Sequence, residues 1–364
     1  MFCVTSSVKV PITKPFLPSR SELTNGLNQV FDSEWLTNNG AKARELESCL
    51  SERLDQEDFL FLANGTLALQ LGIRALELTG EVITTPFTYI ATVTSLMWER
   101  CRPVFVDIEP GGFNIDAKQV ESAITERTSG ILATHCFGWP VAIDILSEIA
   151  HRRGLKLMFD AAHAFGSNYK GQSIFKYGDA SATSFHATKL FHTCEGGGIA
   201  SRHPEIRQAI RELRNFGHLD QESFGRVGIN AKNSELHATM GLSILPHMDE
   251  ILQRRRMQVK MYWELFEGKG LMLLDPSNPD WNCAYAPIVL ENESKCLEVK
   301  SLLESKGIGA RRYFYPSLNT VHGLSQTPCP ESEKRAQSVL CLPLYHDLED
   351  SMLQEIAQVV CSVC

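Results

Sequence analysis

The chain has 364 residues, 35 Lys and Arg against 43 Asp and Glu, a formal charge of −8 and 43% hydrophobic residues. This length suits one large or two fused domains around a sizeable core, and the composition excludes a disordered or collagen-like chain. A net negative chain lacks the electrostatic footprint of a phosphate-backbone binder, and Arg254-Arg255-Arg256 reads as one exposed helix face, so nucleic acid is not an expected partner.

In chain order, the segment up to Pro18 has no basic stretch followed by a sustained apolar run. No segment reaches the roughly 20 apolar residues that a membrane span needs. A soluble, cytoplasmic protein without a membrane partner is expected. The 11 cysteines are scattered without a CxxC pair, which predicts reduced, mostly buried thiols and no metal centre.

From Asp58 to Ile199, short apolar runs alternate with helical stretches, the signature of a parallel sheet covered by helices. The predicted strands are Phe59 to Ala63, Glu81 to Thr84, Pro103 to Val106, Gly130 to Thr134, Lys156 to Phe159, Ser181 to Phe185 and Gly197 to Ser201. Between them, Thr66 to Leu78, Ala91 to Arg100, Ala117 to Ile124 and Val141 to Arg153 carry apolar residues at helical spacing. Ser234 to Phe266 reads as one long helical stretch interrupted or kinked at Pro246. Beyond Gly268, a strand near Ala284 to Leu290 and helices at Lys295 to Lys306, Glu331 to Val339 and Leu348 to Val363 predict a smaller α/β domain. The expected division is a large domain over 1–245 and a small one over 246–364.

Three constellations carry chemistry. Asn64-Gly65-Thr66 falls where a strand ends and a helix begins, so its free N–H groups and the helix dipole suit a phosphate; the same residues also suit an ordinary helix start. Asp160 ends an apolar strand at the sheet edge where ligands bind, or it caps the next segment. Lys189 follows Ser184 and precedes Glu195-Gly196-Gly197-Gly198, so its amine is either a desolvated nucleophile or a surface charge.

Phosphate donors, an acid for a ring nitrogen and an amine for a carbonyl are together the recognition set of pyridoxal 5′-phosphate. With Thr85 to Thr92, Phe105 to Ile108, Asp160-Ala161-Ala162-His163, Ser184 to Lys189, Glu195-Gly196-Gly197, and Gly228-Ile229-Asn230 leading into Glu235 to Ala238, the set resembles fold type I aminotransferases. It more closely resembles the DegT/DnrJ/StrS family of nucleotide-sugar aminotransferases, over nearly the whole chain. The resemblance implies an α/β fold of the aspartate aminotransferase type, with a seven-stranded mixed, mostly parallel sheet, a smaller C-terminal α/β domain and a homodimer.

Carried over by motif, Lys189 is the lysine that bears the cofactor as a Schiff base and shuttles protons, and Asp160 is the acid paired with the ring nitrogen. Gly65, Thr66 and Ser184 match phosphate ligands, Tyr89 matches a ring stacked on the cofactor, and Asn230 matches a phosphate ligand given by the partner subunit. Asp107 is then structural. His163 stands where most relatives have Gln, and it can donate the same hydrogen bond to the cofactor's phenolic oxygen. Some relatives are dehydratases with His at the position of Lys189; the lysine here favours transamination. Lys232-Asn233 departs from the family's usual Arg-Met.

Lys14 to Pro18 and Trp35 to Gly40 resemble a subgroup acting on dTDP-linked 4-keto-6-deoxy sugars. The implied reaction aminates dTDP-4-keto-6-deoxy-D-glucose with L-glutamate as donor; a 3-keto or UDP-linked sugar, a sugar dehydratase and a non-catalytic regulatory relative are the alternatives. Lys14 and Arg311-Arg312 are candidate contacts for the nucleotide's phosphates. Alone, Thr37 to Gly40 reads as a polar turn, and Arg311 to Pro316, similar to a family loop near the active site, reads as an interface or core edge.

Overall fold

The computed structural model describes residues 8–324 and 327–364. Cys3 and the opening of the N-terminal segment, on which the expectation of no targeting signal partly rests, lie outside the described residues.

Five strands come first: Phe59–Leu62 (β1), Glu81–Thr84 (β2), Arg102–Phe105 (β3), Thr128–Thr134 (β4) and Lys156–Asp160 (β5). A short hairpin of Asn168–Tyr169 (β6) and Gln172–Ser173 (β7) follows, then Ala180–Ser184 (β8) and Gly197–Ala200 (β9). The seven longer strands form one sheet in the order β1-β9-β8-β5-β4-β2-β3. Neighbours from β3 to β8 are parallel, whereas β9 runs antiparallel to both β1 and β8. All seven strands expected from the sequence are present, with ends shifted by at most two residues.

The strands are mostly apolar because both faces are covered, with polar residues at strand ends and the small Ser181 and Thr183 inside β8. Successive side chains point to opposite faces. Phe59, Phe61, Ile131, Ala133, Leu157 and Phe159 therefore pack on one side with Leu46, Leu50, Ile143 and Leu146. Leu60, Leu62, Leu132 and Met158 pack on the other with Leu69, Ile73, Leu96 and Ile210. Arg20–Ser33 (α1) packs on a later helix, and the covering helices are Ala41–Arg53 (α2), Gly65–Ala75 (α3), Ile90–Trp98 (α4), Ala117–Val120 (α5), Ile143–Arg153 (α6) and Pro204–Leu213 (α7).

Glu235–Ile244 (α8) and Met248–Leu265 (α9) are the expected long stretch, broken at Pro246 by a single 3-10 turn, Leu245–His247. The smaller unit has a three-stranded antiparallel sheet of Met272–Leu273 (β10), Ala286–Val289 (β11) and Val339–Leu342 (β12), with helices Glu293–Ser305 (α10), Pro330–Ser338 (α11) and Asp350–Cys361 (α12). Its core includes Ile288, Val299, Leu340 and Ile356, and runs on into Phe87, Phe113 and Phe137 of the larger unit.

Helices α1, α2 and α7 go beyond the sequence expectation. In α1 Leu23, Leu27, Val30 and Phe31 recur at helical spacing, but only Val30 is buried. The start of α1 is also signalled: Ser19 Oγ accepts from the Glu22 amide at 3.2 Å, and the Glu22 carboxylate accepts from the Ser19 amide at 2.9 Å. Between α1 and α2, Asn38 and Asn39 take positive φ angles of 62° and 59°, so the polar-turn reading of Thr37 to Gly40 holds locally.

Asp107, just past β3, is structural as expected. Its carboxylate accepts from the amides of Ile108, Glu331 and Ser332, each at 2.8 Å, and from the Ser332 hydroxyl at 2.6 Å. A buried carboxylate at the start of α11 satisfies the helix's free amides and fastens the smaller unit to the large sheet. Ten cysteines are described, all free, and six of them are buried. Among the described residues, no helix is long and apolar enough to cross a membrane.

Candidate active site

The carboxyl ends of β4, β5 and β8 lie side by side, and residues at or just past them wall a cavity of about 300 Å³. This is the edge of an open α/β sheet at which ligands bind. Gly65, Thr66, Tyr89, Asp160, His163, Ser184 and Lys189 all line it, so seven of the eight expected site residues share one cavity.

At one end, α3 begins beside the end of β8. Asn64 Oδ1 accepts from the Leu67 amide at 2.8 Å, and the Asn64 carbonyl accepts from the Ala68 amide at 3.1 Å. The Gly65 and Thr66 amides are left without a partner among the described residues. The two readings of Asn64-Gly65-Thr66 are thus compatible: Asn64 caps the helix, and its neighbours present open N–H groups to the cavity. Glycine is required at 65, where a Cβ would stand 2.8 Å from that of Ser184. It is equally required at 197, where a Cβ would lie 2.6 Å from the Gly65 nitrogen, so the glycine run after Glu195 lets β9 pass directly beneath this turn.

At the other end, Asp160 is almost completely buried. Its Oδ2 accepts from Thr92 Oγ1 at 2.6 Å and its Oδ1 from the Ala162 amide at 3.0 Å. Burial pushes its carboxyl above the ordinary range, opposed by those two donors and by the Lys189 charge. Asp160 therefore is a cap in geometry, through Ala162, and also a cavity wall.

Lys189 sits on the loop joining β8 to β9, half-buried, with its Nζ donating to the Tyr285 hydroxyl at 3.4 Å. Burial pulls its amine down to about 8, Asp160 opposing and Arg311 adding to the fall. His163 accepts from the Phe137 amide at Nδ1, at 3.2 Å, which puts its ring proton on Nε2. Burial and the Lys189 charge hold it well below the usual imidazole range, so it is a neutral donor. Its ring stacks on Phe314 with centroids 5.6 Å apart and meets Tyr285 at 4.5 Å.

The Arg311 to Pro316 loop divides. Arg311, Tyr313 and Phe314 line the cavity, whereas Arg312 turns away to Glu293 at 2.5 Å. Lys14 is exposed, pairs with Asp347 and does not line the cavity. Asn230, the eighth expected residue, is exposed outside the cavity, with its Oδ1 accepting from Lys232 at 2.9 Å. Asn233 instead donates to the carbonyls of Leu62 and Glu195, tying the end of β1 to the glycine run. Sequence reasoning did not single out Tyr285, Thr134 or the side chains of Thr88 and Thr92. Thr134 carried a usable signal, a polar residue ending the strand beside that of Asp160; Tyr285 carried none.

Residues 19–361 match the DegT/DnrJ/EryC1/StrS aminotransferase family. A dTDP-4-amino-4,6-dideoxy-D-glucose transaminase of Shigella dysenteriae is 38% identical over 358 residues, covering 96% of this chain and 97% of that protein. The structure of DesI in the presence of its TDP-sugar product superposes with a TM-score of 0.92 at 32% identity, over 98% of this chain and 93% of that one. Spr1654 from Streptococcus pneumoniae in its PLP form superposes at 0.91 with 25% identity, over 97% and 98%. With the resemblance extending through every strand that walls the cavity, the chain belongs to the DegT/DnrJ/EryC1/StrS aminotransferase family.

Proposed function

We propose that this protein transfers an amino group from L-glutamate to a nucleotide-linked keto sugar, converting dTDP-4-keto-6-deoxy-D-glucose to dTDP-4-amino-4,6-dideoxy-D-glucose with pyridoxal 5′-phosphate as cofactor. The observation that carries this reading is the convergence of Lys189, Asp160, His163, Ser184 and the Gly65-Thr66 amides on one cavity. These donors fit the cofactor: open amides and the Ser184 hydroxyl suit its phosphate, Asp160 its ring nitrogen, the His163 Nε2–H its phenolic oxygen and the Lys189 amine its aldehyde carbon. When bound, the cofactor supplies an electron sink for negative charge on the carbon that gains or loses nitrogen.

The chain's own residues do the rest. Lys189, pulled down to about 8, keeps a fraction of free amine near neutral pH and is able both to bond a carbonyl and to carry a proton. Tyr285, whose phenol burial holds well above its usual range, stays protonated and orients Nζ. Arg311 brings positive charge to the wall where an anionic substrate would lie. Tyr313 and Phe314 roof the cavity and exclude water.

The active unit in this reading is a cytoplasmic homodimer whose protomers divide at 245/246. Exposed Trp98, Phe216, Phe224 and Val227 supply apolar surface for a second copy to cover, and Asn230 on the same loop would reach the partner's cofactor phosphate. Mixing Lys189→Ala with Asn230→Ala protein should then restore activity that neither has alone; no restoration removes the shared site. Incubation with glutamate and a panel of dTDP-, UDP- and GDP-linked 3-keto and 4-keto sugars, followed by mass spectrometry and NMR, tests the reaction. Amination at C3 or turnover only with a UDP sugar would replace the substrate. Inactivity with every sugar would overturn the reaction itself.

A further inference from the structure

Beside Asp160, along the wall that Thr88 and Thr134 share with the cavity, lies a row of buried hydroxyls that none of the roles above uses. Thr92 Oγ1 is 2.6 Å from Asp160 Oδ2, Thr88 Oγ1 is 2.9 Å from Thr92 Oγ1, and Thr134 Oγ1 is 3.0 Å from Thr88 Oγ1. All four residues are nearly or wholly inaccessible. They come from three elements: Thr134 ends β4 and pairs in register with Asp160 at the end of β5, while Thr88 and Thr92 flank the start of α4.

The direction of these bonds follows from counting protons. An ionised carboxylate only accepts, so Thr92 must donate to Asp160. Each hydroxyl has a single proton, so Thr92 must in turn accept from Thr88, and Thr88 from Thr134. The row therefore has one self-consistent orientation when Asp160 is charged, with every O–H dipole aimed at the carboxylate. We propose that Thr134, Thr88 and Thr92 form a one-way hydroxyl relay that holds Asp160 ionised and fixed in orientation, with Thr92 as its positioning residue.

Such a relay answers a physical problem set by the site. A carboxylate removed from water tends to take up a proton, and a protonated Asp160 could no longer hold a positive charge opposite it. Of the titratable groups near it, Lys189 favours the ionised carboxylate. Burial holds the Cys136 thiol far up, His163 well down and His135 at about 3, so these three stay uncharged and offer no counter-charge. Oriented hydroxyls act instead. They also rule out movement, because Oδ1 is occupied by the Ala162 amide while Oδ2 is occupied by Thr92, which fixes the plane of the carboxylate. Hydrogen bonds in a row polarise one another in a low dielectric, so the distant Thr88 and Thr134 strengthen the last bond.

The inference rests on the reading of Asp160 as partner of the cofactor's ring nitrogen, and one experiment separates the two. Holoprotein is reconstituted with pyridoxal phosphate labelled with 15N in the ring, whose chemical shift reports whether that nitrogen is protonated. In the unmodified protein it should stay protonated across neutral pH. Thr92→Val should move its loss of the proton down by roughly one pH unit or more and weaken cofactor binding by about tenfold, the worth of one hydrogen bond to a charged group. Thr92→Ser, which keeps the hydroxyl, should behave as the unmodified protein, a rescue that a purely packing role for the Thr methyl would not give. Thr88→Val should give a smaller shift of the same sign, and it carries the test if Thr92→Val fails to fold. Asp160→Asn should abolish protonation of the ring nitrogen; if it does not, the reading of Asp160 falls. If Asp160→Asn abolishes it while the folded threonine variants titrate as the unmodified protein does, the relay is overturned.

Discussion

The two ends of the cavity are built from different materials. Around Gly65, Thr66 and Ser184 the groups facing the cavity are mainly backbone amides and a hydroxyl at a helix start, whose polarity is fixed by the fold and does not titrate. Around Asp160, His163 and Lys189 they are ionisable side chains whose charge is set by burial and by one another. The first end offers hydrogen bonds whose direction the backbone fixes. The second provides reactivity, and it is there that single atoms matter.

That contrast is open to attack at several strengths. The largest effect belongs to Lys189→Ala, which should abolish transamination while leaving measurable noncovalent cofactor binding, since the phosphate contacts are separate from the amine. Borohydride treatment and peptide mass mapping of the unmodified protein should place the cofactor's mass on Lys189; finding it on another lysine would remove that residue from the centre. Next, Asp160→Asn should cost roughly 10²-fold or more in turnover, on the order of 3 kcal/mol, with the fold intact. Near-normal turnover would make Asp160 only the cap of Ala162.

Gly65→Ala tests the backbone end. Its new Cβ would stand 2.8 Å from that of Ser184, so one side must shift, at about 1–3 kcal/mol of overpacking. Cofactor should bind more weakly by a factor of about ten or more on both sides of neutrality, because the backbone amides that the substitution displaces do not titrate. A loss confined to one side of neutrality would blur the division between the ends.

The pH behaviour of Lys189 sharpens it from the other side. With its amine pulled down to about 8, only the free base reacts, so reductive alkylation of Lys189 in cofactor-free protein should rise with pH and reach half its maximum near 8. A midpoint near that of an ordinary lysine would show that burial does not reach Nζ. The smallest effect is expected for His163→Gln. Glutamine offers the same kind of donor, and the variant should lose only a few-fold in cofactor affinity by equilibrium titration, from the lost stacking on Phe314.

How much of this was legible before the structure follows the same division. Strands β1 to β5, β8 and β9 announce themselves because burial on both faces favours short runs of apolar and small residues. The residues that end them, Asp160 and Ser184, inherit that legibility, as do the glycines that need to be glycine. Asn230 was legible only as a member of a motif, and in the single chain it stands exposed outside the cavity. The N-terminal helices were not, because α1 and α2 are rich in polar residues and rest on α8 from a distant stretch of chain. Tyr285 was not, because it reaches Lys189 across 96 residues of sequence from a unit with its own sheet. Thr88 and Thr92 sit in a stretch whose family resemblance was plain, but nothing in a sequence says that two hydroxyls four residues apart link in a row to a carboxylate at the end of a strand.

The clasp of Asp107 on α11 has a consequence for how molecules come and go. An aminotransferase of this family alternates a donor and an acceptor in one chamber, and the roof of that chamber, Arg311, Tyr313 and Phe314, belongs to the smaller unit. Three hydrogen bonds from Glu331 and Ser332 to a buried carboxylate bolt that unit to the end of β3. Swinging it open as a rigid body would break all three, whereas the exposed rim at Tyr89, His186 and Thr188 is a door that asks no such cost. The height of the room is decided when the chain folds, and only the door is left to decide who enters.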